Sequence, residues 1–369
     1  MHGTGWEGVR AIWLQYCGRL QYCGWIATSA SRMTSTQAAS MTSTNVIQAL
    51  RESAVLFESD NDDVLRATGN DRVGFLHRIT SGKVSGIEPG NGGRTLLLDV
   101  RGHVLVSMLA FVRPLSVRLV VPGGQGTDIS GALGKFAIMD DFQIAPEGEL
   151  TTLSVLGPEA DQALARAGVP VPAGFLAAPL FAHQDLETSG FGPLWIVRSR
   201  RCGTDSICLF VHRDARHALF DALLASGVPR LSPEIAEPLR IAALEPAPGK
   251  EISPARFPVE IGLGLAIDHS KGCYVGQETI VRMRDRGTIR KRLALLRLTD
   301  AEIPSAGDAI ATEAQASAGQ VTSAARLPGE SPVALAVLAS AVPVGATVQV
   351  QHDGVSLAAE VAAETLPWG

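Results

Sequence analysis

The chain has 369 residues, of which 46% are hydrophobic and 19% are charged, and its formal net charge is -5 at pH 7. This length predicts two or three domains and is enough for a sizeable core. The acidic balance argues against a nucleic-acid binder that depends on a basic surface. No run has the length and apolarity of a membrane-spanning helix. From the charge balance and the absence of such a run, neither nucleic acid nor a membrane is an expected partner.

Cysteine use indicates a reducing compartment. The five cysteines are scattered and odd in number, which does not fit a disulfide framework. No CxxC pair or Cys/His cluster has metal-ligand spacing, so no stably bound metal is expected. Cys202 and Cys208, on a predicted strand and its approach, are interpreted as structural.

The first 44 residues do not have the pattern of a folded domain. Residues 14–18 recur directly as residues 20–24, and residues 33–36 recur as residues 41–44. We therefore predict that residues 1–44 are a non-globular extension, produced by an upstream start codon. The alternative is a transit peptide, because arginines outnumber acids in this stretch.

From residue 45 the pattern is globular, and an α+β domain is predicted over residues 45–288. A helix begins near residue 45, a strand lies around 64–67, and a second helix follows Asn70 and Asp71. Strands 95–100 and 104–112 form a hairpin through Arg101-Gly102. Further helices and strands, including the paired strands 194–198 and 207–211, are mixed with hairpins. That order is typical of an α+β fold and not of strict βαβ alternation.

The last segment, residues 289–369, has a different pattern. Short runs of Val, Ala and Leu alternate with Gly and Pro turns, and helical periodicity is weak. This pattern predicts a small β-barrel or sandwich.

The most unusual stretch is Lys271–Glu278, which reads KGCYVGQE. Gly272 and Gly276 are predicted to shape a binding turn, because Gly tolerates positive φ and close approach. Lys271 lies two residues before Cys273, and a nearby cation favours the thiolate. The alternative is that Cys273 is a buried small apolar side chain.

The candidate chemistry lies around this stretch. The paired acids at 62–63 and 140–141 are interpreted as solvated or capping residues, and Gly123–Gly126 lacks the features of a phosphate loop. A constellation of Arg, Lys, Glu and Gln suits a ligand with carboxylates and a pterin-like ring of donors and acceptors. The residues that form it are Arg240, Glu260, Lys271, Cys273, Gln277, Glu278 and Arg282.

Lys271–Glu278 resembles the signature K-G-C-[FY]-x-G-Q-E of the YgfZ-type folate-binding proteins of iron–sulfur cluster assembly. These are relatives of the T-protein, the aminomethyltransferase of glycine cleavage. Similar stretches elsewhere in the chain are Asp71-Arg72 with Phe75-Leu76, the turn at Leu98–Gly102, Gly157-Pro158, Phe257–Leu263 and Gly319–Ser323. The resemblance implies two related α+β halves followed by a C-terminal β-barrel, and tetrahydrofolate, or a one-carbon derivative of it, as the ligand.

The resemblance also implies roles for individual residues. Cys273 and Lys271 are the candidate catalytic residues. The candidate folate-binding residues are Arg240, Glu260, Gly272, Tyr274, Gly276, Gln277, Glu278 and Arg282. The implied function is an accessory protein for assembly or repair of iron–sulfur clusters, with cluster carriers or client proteins as partners.

The chain departs from the T-protein pattern where acids are expected. T-proteins carry an Asp pair just after the hairpin glycine, and the aligned residues here are Val106 and Ser107. Ala242 occupies the position of the Glu in their Arg-Leu-Glu-Ala-Gly stretch. Thr204 occupies the position of the Glu in their Gly-Tyr-Thr-Gly-Glu stretch. Since Val cannot act as an acid or base, aminomethyl transfer is not expected, and the sequence leans away from an enzyme.

Two alternative functions stay open. One is a folate-dependent one-carbon transferase or demethylase, and the other is a degenerate folate-fold module that only binds. The Ala/Gly/Arg-rich composition favours the bacterial cytoplasm, with the mitochondrial matrix as the alternative.

Overall fold

A computed structural model describes residues 43–58, 62–287 and 289–362. The interpretation of residues 1–42 as an extension lies outside these ranges. Within the described ranges, no helix combines the length and the apolarity that crossing a membrane requires.

The α-helices are α1 (Ser43–Glu52), α2 (Arg72–Ile79), α3 (Gly126–Phe136), α4 (Ala160–Arg166), α5 (Arg216–Ala225), α6 (Pro233–Ala242) and α7 (Gln277–Asp285). The first strands are β1 (Val55–Phe57), β2 (Asp62–Thr68), β3 (Gly92–Leu98), β4 (Val104–Val112), β5 (Val117–Pro122) and β6 (Gln143–Pro146). Next come β7 (Leu150–Leu156), β8 (His183–Thr188), β9 (Gly192–Arg201), β10 (Thr204–His212) and β11 (Arg230–Leu231). The last are β12 (Lys291–Leu298), β13 (Ala309–Thr312), β14 (Gln315–Ala325), β15 (Val333–Ala339), β16 (Thr347–His352) and β17 (Val355–Val361).

The α+β part has two sheets packed face to face between two layers of helices. The first sheet has the order β3-β4-β5-β2-β6 and the second the order β11-β1-β7-β10-β9-β8. Apolar side chains of β2, β4 and β5 meet those of β9 and β10 between the sheets. Helices α2 and α3 cover the outer face of the first sheet, and α4 and α5 that of the second. Each half thus buries one sheet on both faces.

The predicted hairpins are confirmed. Strand β3 pairs antiparallel with β4, and Leu96 lies opposite Ser107. Strand β9 pairs with β10, and Arg198 lies opposite Ile207. Short strand β1 joins the second sheet, where it pairs with both β7 and β11. A three-residue strand with no helical or alternating pattern gives little signal in the sequence.

The C-terminal strands form a closed barrel in the order β12-β15-β14-β13-β16-β17, which confirms the predicted barrel. A shared core joins it to the rest of the molecule. That core combines Leu98 of the first hairpin and Ile280 of α7 with Leu293 and Leu335 of the barrel. The boundary between residues 288 and 289 stays a prediction, because the apolar contacts continue across it.

Candidate functional site

The segment Lys271–Glu278 lies between the C-terminal end of α2 and the turn of the β3–β4 hairpin. The ammonium group of Lys271 donates hydrogen bonds to the backbone carbonyls of His77, Thr80 and Gly82, at 2.5 Å for Thr80 and 3.0 Å for Gly82. These carbonyls lie at and just beyond the end of α2, where backbone acceptors have no partner within the helix. Lys271 therefore fixes the start of the segment to the first half of the fold.

Burial lowers the pKa of Lys271 to about 8, and the nearby charge of Asp268 only partly opposes this effect. The side chain is thus mostly protonated at neutral pH and can use all three N–H donors. Its Nζ lies 5.2 Å from the ring centroid of Tyr274, within the range of a cation–π contact. The structure gives this predicted catalytic residue an anchoring contact.

The other side of the segment is held by Tyr274 and Gly276. Tyr274 is buried in the core shared with the barrel, its hydroxyl has no hydrogen-bond partner among the described residues, and burial raises its pKa to about 12. Gly276 has φ +81°, and a Cβ there would lie 2.4 Å from the carbonyl oxygen of Asp99. The close approach and the positive φ that were predicted for Gly276 are both present.

Gly272 differs from that expectation. A Cβ on Gly272 would meet no atom within 4 Å, and its φ lies outside the left-handed range. The geometry therefore requires glycine at Gly276 and leaves room for a side chain at Gly272. The prediction that both glycines shape the turn is wrong for Gly272, because its backbone is open to solvent and not pressed against another chain segment.

Cys273 lies between these two anchors, and its side chain is free and exposed. The alternative interpretation of Cys273 as a buried apolar side chain is therefore wrong. The other two described cysteines are buried, and burial raises the pKa of Cys202 to about 12 and that of Cys208 to about 11. Among residues 43–58, 62–287 and 289–362, Cys273 is thus the thiol that a reagent or a partner can reach.

The last three candidates of the segment lie on α7. Gln277 is its first residue, and Glu278 and Arg282 form an exposed i,i+4 ion pair at 2.5 Å. The side chains of Glu278 and Arg282 are 84% and 56% exposed, so this pair is solvated. Both side chains remain accessible to a ligand or partner.

The side chain of Glu260 is hydrogen-bonded to the backbone of its own loop. Its carboxylate accepts a hydrogen bond from the Phe257 N–H at 3.2 Å and completes the cap of a short 3-10 helix, Pro258–Ile261. The ring of Phe257 packs 4.5 Å from that of His103, next to the hairpin turn. Glu260 therefore positions the loop that leads toward the Lys271 segment.

Arg240 is used at the joint with the barrel. Its guanidinium donates to both carboxylate oxygens of Glu237, to the Glu245 carbonyl, to Glu251 at 3.1 Å and to the Ser323 hydroxyl at 2.8 Å. Glu251 is fully buried and also accepts from the hydroxyls of Thr322 and Ser323. All three guanidinium nitrogens are engaged within the protein, so the predicted contact of Arg240 with folate stays a prediction.

A cavity of about 520 Å³ lies between the first hairpin, the β8–β9 region and the loop that precedes Lys271. Its charged lining comprises three cations and one acid, which are Lys83, Arg94, Arg200 and Asp268. Its apolar lining includes Leu180 and Phe181, and Phe181 has φ +68°, which is rare for a bulky residue. Sequence reasoning did not find these residues. They come from distant parts of the chain, so only the fold brings them together.

Arg94 connects this cavity to the positions where T-proteins carry acids. Its side chain is accessible to water, but protein surrounds it on most sides, and this burial lowers its pKa. Its guanidinium donates to the hydroxyl of Ser107 at 3.0 Å, whereas Val106 points into the core of the first sheet. A hydroxyl and an apolar side chain therefore occupy the aligned acid positions.

The described residues contain no group of three or more His, Cys, Asp or Glu side chains that could hold a metal ion. The charged groups that line the cavity are instead three cations and one carboxylate. They fit an organic ligand with negative charge and ring donors.

Comparison with known proteins gives the class of the protein. The chain belongs to the family of the GCVT N-terminal domain, whose model matches residues 15–271. An aminomethyltransferase of Geobacillus kaustophilus is 26% identical over 323 residues, which cover 85% of this chain and 87% of that protein. A chloroplastic protein of Arabidopsis thaliana is 26% identical over 237 residues, 64% of this chain, and the match spans only 54% of that protein.

The solved structure of the glycine cleavage system aminomethyltransferase T from Bartonella henselae has the same fold. Its TM-score is 0.77 at 23% sequence identity, and the match covers 89% of both chains. The predicted T-protein-like architecture, with two α+β halves and a small barrel, is thereby confirmed.

Proposed function

We propose that this protein binds tetrahydrofolate in the cavity beside the first hairpin and supports assembly or repair of iron–sulfur clusters in client proteins. The observation that carries the proposal is the position of Cys273, an exposed free thiol between two fixed points. Lys271 fixes one side by three carbonyl contacts, and Gly276 fixes the other by its close approach to the hairpin turn. A thiol held in this way is preorganised for contact with a partner.

The cavity fits a folate in size and chemistry. Its volume of about 520 Å³ lies within the range of roughly 300–1,000 Å³ that is usual for small-molecule sites. Three cations suit the carboxylates of a glutamate tail, and the apolar wall with Phe181 suits a ring system. When bound, the folate would supply or accept a one-carbon unit.

Cys273 is the group proposed to act on a cluster or on sulfur that is in transit to a client. Protein-held clusters take about four ligands, so a single cysteine cannot hold one alone. In this proposal the cluster is cargo, shared with a carrier or client protein during transfer. The proposed compartment is the bacterial cytoplasm, with the mitochondrial matrix as the alternative.

Complementation tests the proposal. A bacterial strain that lacks its own family member would receive the wild-type chain, Cys273→Ala or the control Asp221→Asn, which changes an exposed residue of α5 outside the cavity lining. The readout is the activity of a [4Fe–4S] enzyme under oxidative stress. Rescue by wild type and Asp221→Asn, but not by Cys273→Ala, is expected. Equal rescue by Cys273→Ala would remove the thiol from the mechanism, and no rescue by soluble wild type would remove the cluster role.

A one-carbon transferase is the second candidate. The observation in its favour is the match to the aminomethyltransferase of Geobacillus kaustophilus over 85% of this chain. The absence of a carboxylate at Val106 and Ser107 weighs against it, because proton transfer requires a titratable group within reach. Turnover of a methylamine-type donor with tetrahydrofolate by the purified protein would favour this candidate.

A further inference from the structure

Asp268 is the acid in the charged lining of the cavity, beside the cations Lys83, Arg94 and Arg200. It precedes the Lys271 segment by three residues, and its backbone N–H donates to the Ser81 carbonyl at 2.9 Å. This contact joins the Asp268 loop to the end of α2. The backbone that carries the carboxylate is therefore fixed to the same part of the fold as Lys271.

The carboxylate itself is oriented from one side. Its Oδ1 accepts hydrogen bonds from the Ser270 N–H at 2.9 Å and from the Ser270 hydroxyl at 2.6 Å. These two bonds lower the pKa of Asp268, so the group is ionised at neutral pH. The second oxygen, Oδ2, has no hydrogen-bond or ion-pair partner among the described residues and keeps its acceptor capacity.

A free anionic acceptor has a different ligand preference from the three cations beside it. The cations bind carboxylates or other anions, whereas Oδ2 of Asp268 binds N–H donors. The cavity therefore carries two kinds of recognition that one ligand can satisfy only if it has an anionic part and a donor-bearing part.

We propose that Asp268 is the specificity-determining residue for the ring of the ligand, and that it binds the N–H donors on the edge of a pterin-type ring. This inference rests on the proposed folate function and goes beyond it by assigning the two ends of the ligand. Asp268, oriented by Ser270, binds the ring. The acidic tail is bound by Lys83, Arg94 and Arg200. Phe181 offers an aromatic face to the same ring.

The experiment divides the ligand into its two halves. Binding of tetrahydrofolate, of 6-hydroxymethylpterin (the ring half without a carboxylate) and of p-aminobenzoyl-glutamate (the tail half) is measured by calorimetry on the full chain under reducing conditions. The proteins are wild type, Asp268→Asn and Asp221→Asn. Asp221 lies exposed on α5 and is outside the cavity lining, so its variant controls for the loss of one negative charge.

Asp268→Asn is expected to weaken the binding of tetrahydrofolate and 6-hydroxymethylpterin at least tenfold. The reason is that the new amide N–H₂ faces a ring donor and the charge is lost. It should leave p-aminobenzoyl-glutamate unchanged or bound more tightly, since an anion gains when a nearby negative charge is removed. Asp221→Asn should change none of the three. Arg94→Gln should give the opposite selectivity and weaken only the two ligands that carry the tail.

The outcomes separate the inference from the function on which it rests. Folded wild type that binds none of the three ligands would contradict the folate proposal itself. Wild type that binds tetrahydrofolate, with Asp268→Asn equally tight for the pterin, would overturn the role of Asp268 alone. Equal weakening of both halves by Asp268→Asn would also overturn it, because the effect would not be specific to the ring.

Discussion

Gly276 and Gly102 lie in backbone contact, and a Cβ on Gly276 would lie 3.0 Å from the Cα of Gly102. Both have positive φ, +81° for Gly276 and +87° for Gly102. The start of α7 and the turn of the first hairpin can meet at this distance only without side chains. This contact places the Lys271 segment beside the hairpin and sets the position of Cys273.

Gly276→Ala should destabilise the fold. The new Cβ would lie 2.4 Å from the Asp99 carbonyl oxygen, and the alanine would also have to adopt φ +81°. A cost on the order of 1–3 kcal/mol in the free energy of unfolding is expected from the backbone strain. Denaturant unfolding of Gly276→Ala and Gly272→Ala measures it. An equal loss in both variants would contradict the contact, since Gly272 has open space.

Lys271 should make stability depend on alkaline pH. The folded pKa of about 8 is below the ordinary value of 10.5, so between these values the unfolded chain binds more protons at this side chain than the native one. The free energy of unfolding of wild type should therefore rise with pH across this window, relative to Lys271→Met. Unfolding of both proteins at pH 7, 8.5 and 10 measures the difference. The free energy of unfolding of wild type minus that of Lys271→Met should increase from pH 7 to pH 10. A value that stays constant or decreases would contradict the lowered pKa.

Arg240→Met should cost far more stability than Arg282→Met. Arg240 pairs with the fully buried Glu251, and removal of one partner leaves an uncompensated charge, at a cost of roughly 3–5 kcal/mol. Arg282 pairs with Glu278 on an exposed face, where a pair contributes about 0–1 kcal/mol. Thermal unfolding compares the two variants. The tetrahydrofolate affinity of folded Arg240→Met then tests the predicted binding role of Arg240, and a large loss would support it.

Cys273 should be modified quickly in the native protein. In a chain with Cys17 and Cys23 replaced by Ser, a maleimide should label one thiol fast and two only on unfolding. The reason is that Cys202 and Cys208 are buried and their pKa values are raised to about 12 and about 11. Mass spectrometry of the labelled peptides identifies the sites. Fast labelling of Cys208 would show that the second sheet opens.

Much of this architecture could be predicted from local patterns. The β3–β4 hairpin and the barrel strands are apolar runs separated by Gly- and Pro-containing turns, which is a local signal. The residue type indicates a close approach at both glycines of the Lys271 segment, and only Gly276 has it. The cavity could not be found in this way. Lys83, Arg94 and Arg200 are ordinary polar residues in their local contexts, and only the packing of the two sheets brings them to one space. Arg240 also carries no local sign of its partner Glu251.

The joint between α6 and the barrel limits how the protein can be divided. A fragment that ends at residue 288 would lose Thr322 and Ser323, which supply two of the hydrogen bonds to the buried Glu251. It would also uncover apolar side chains of the hairpin and of α7, such as Leu98 and Ile280. Such a fragment should aggregate although it retains every residue of the cavity. The C-terminal barrel is thus part of the folding unit, and a chain shortened to residue 288 is unsuitable for ligand-binding measurements.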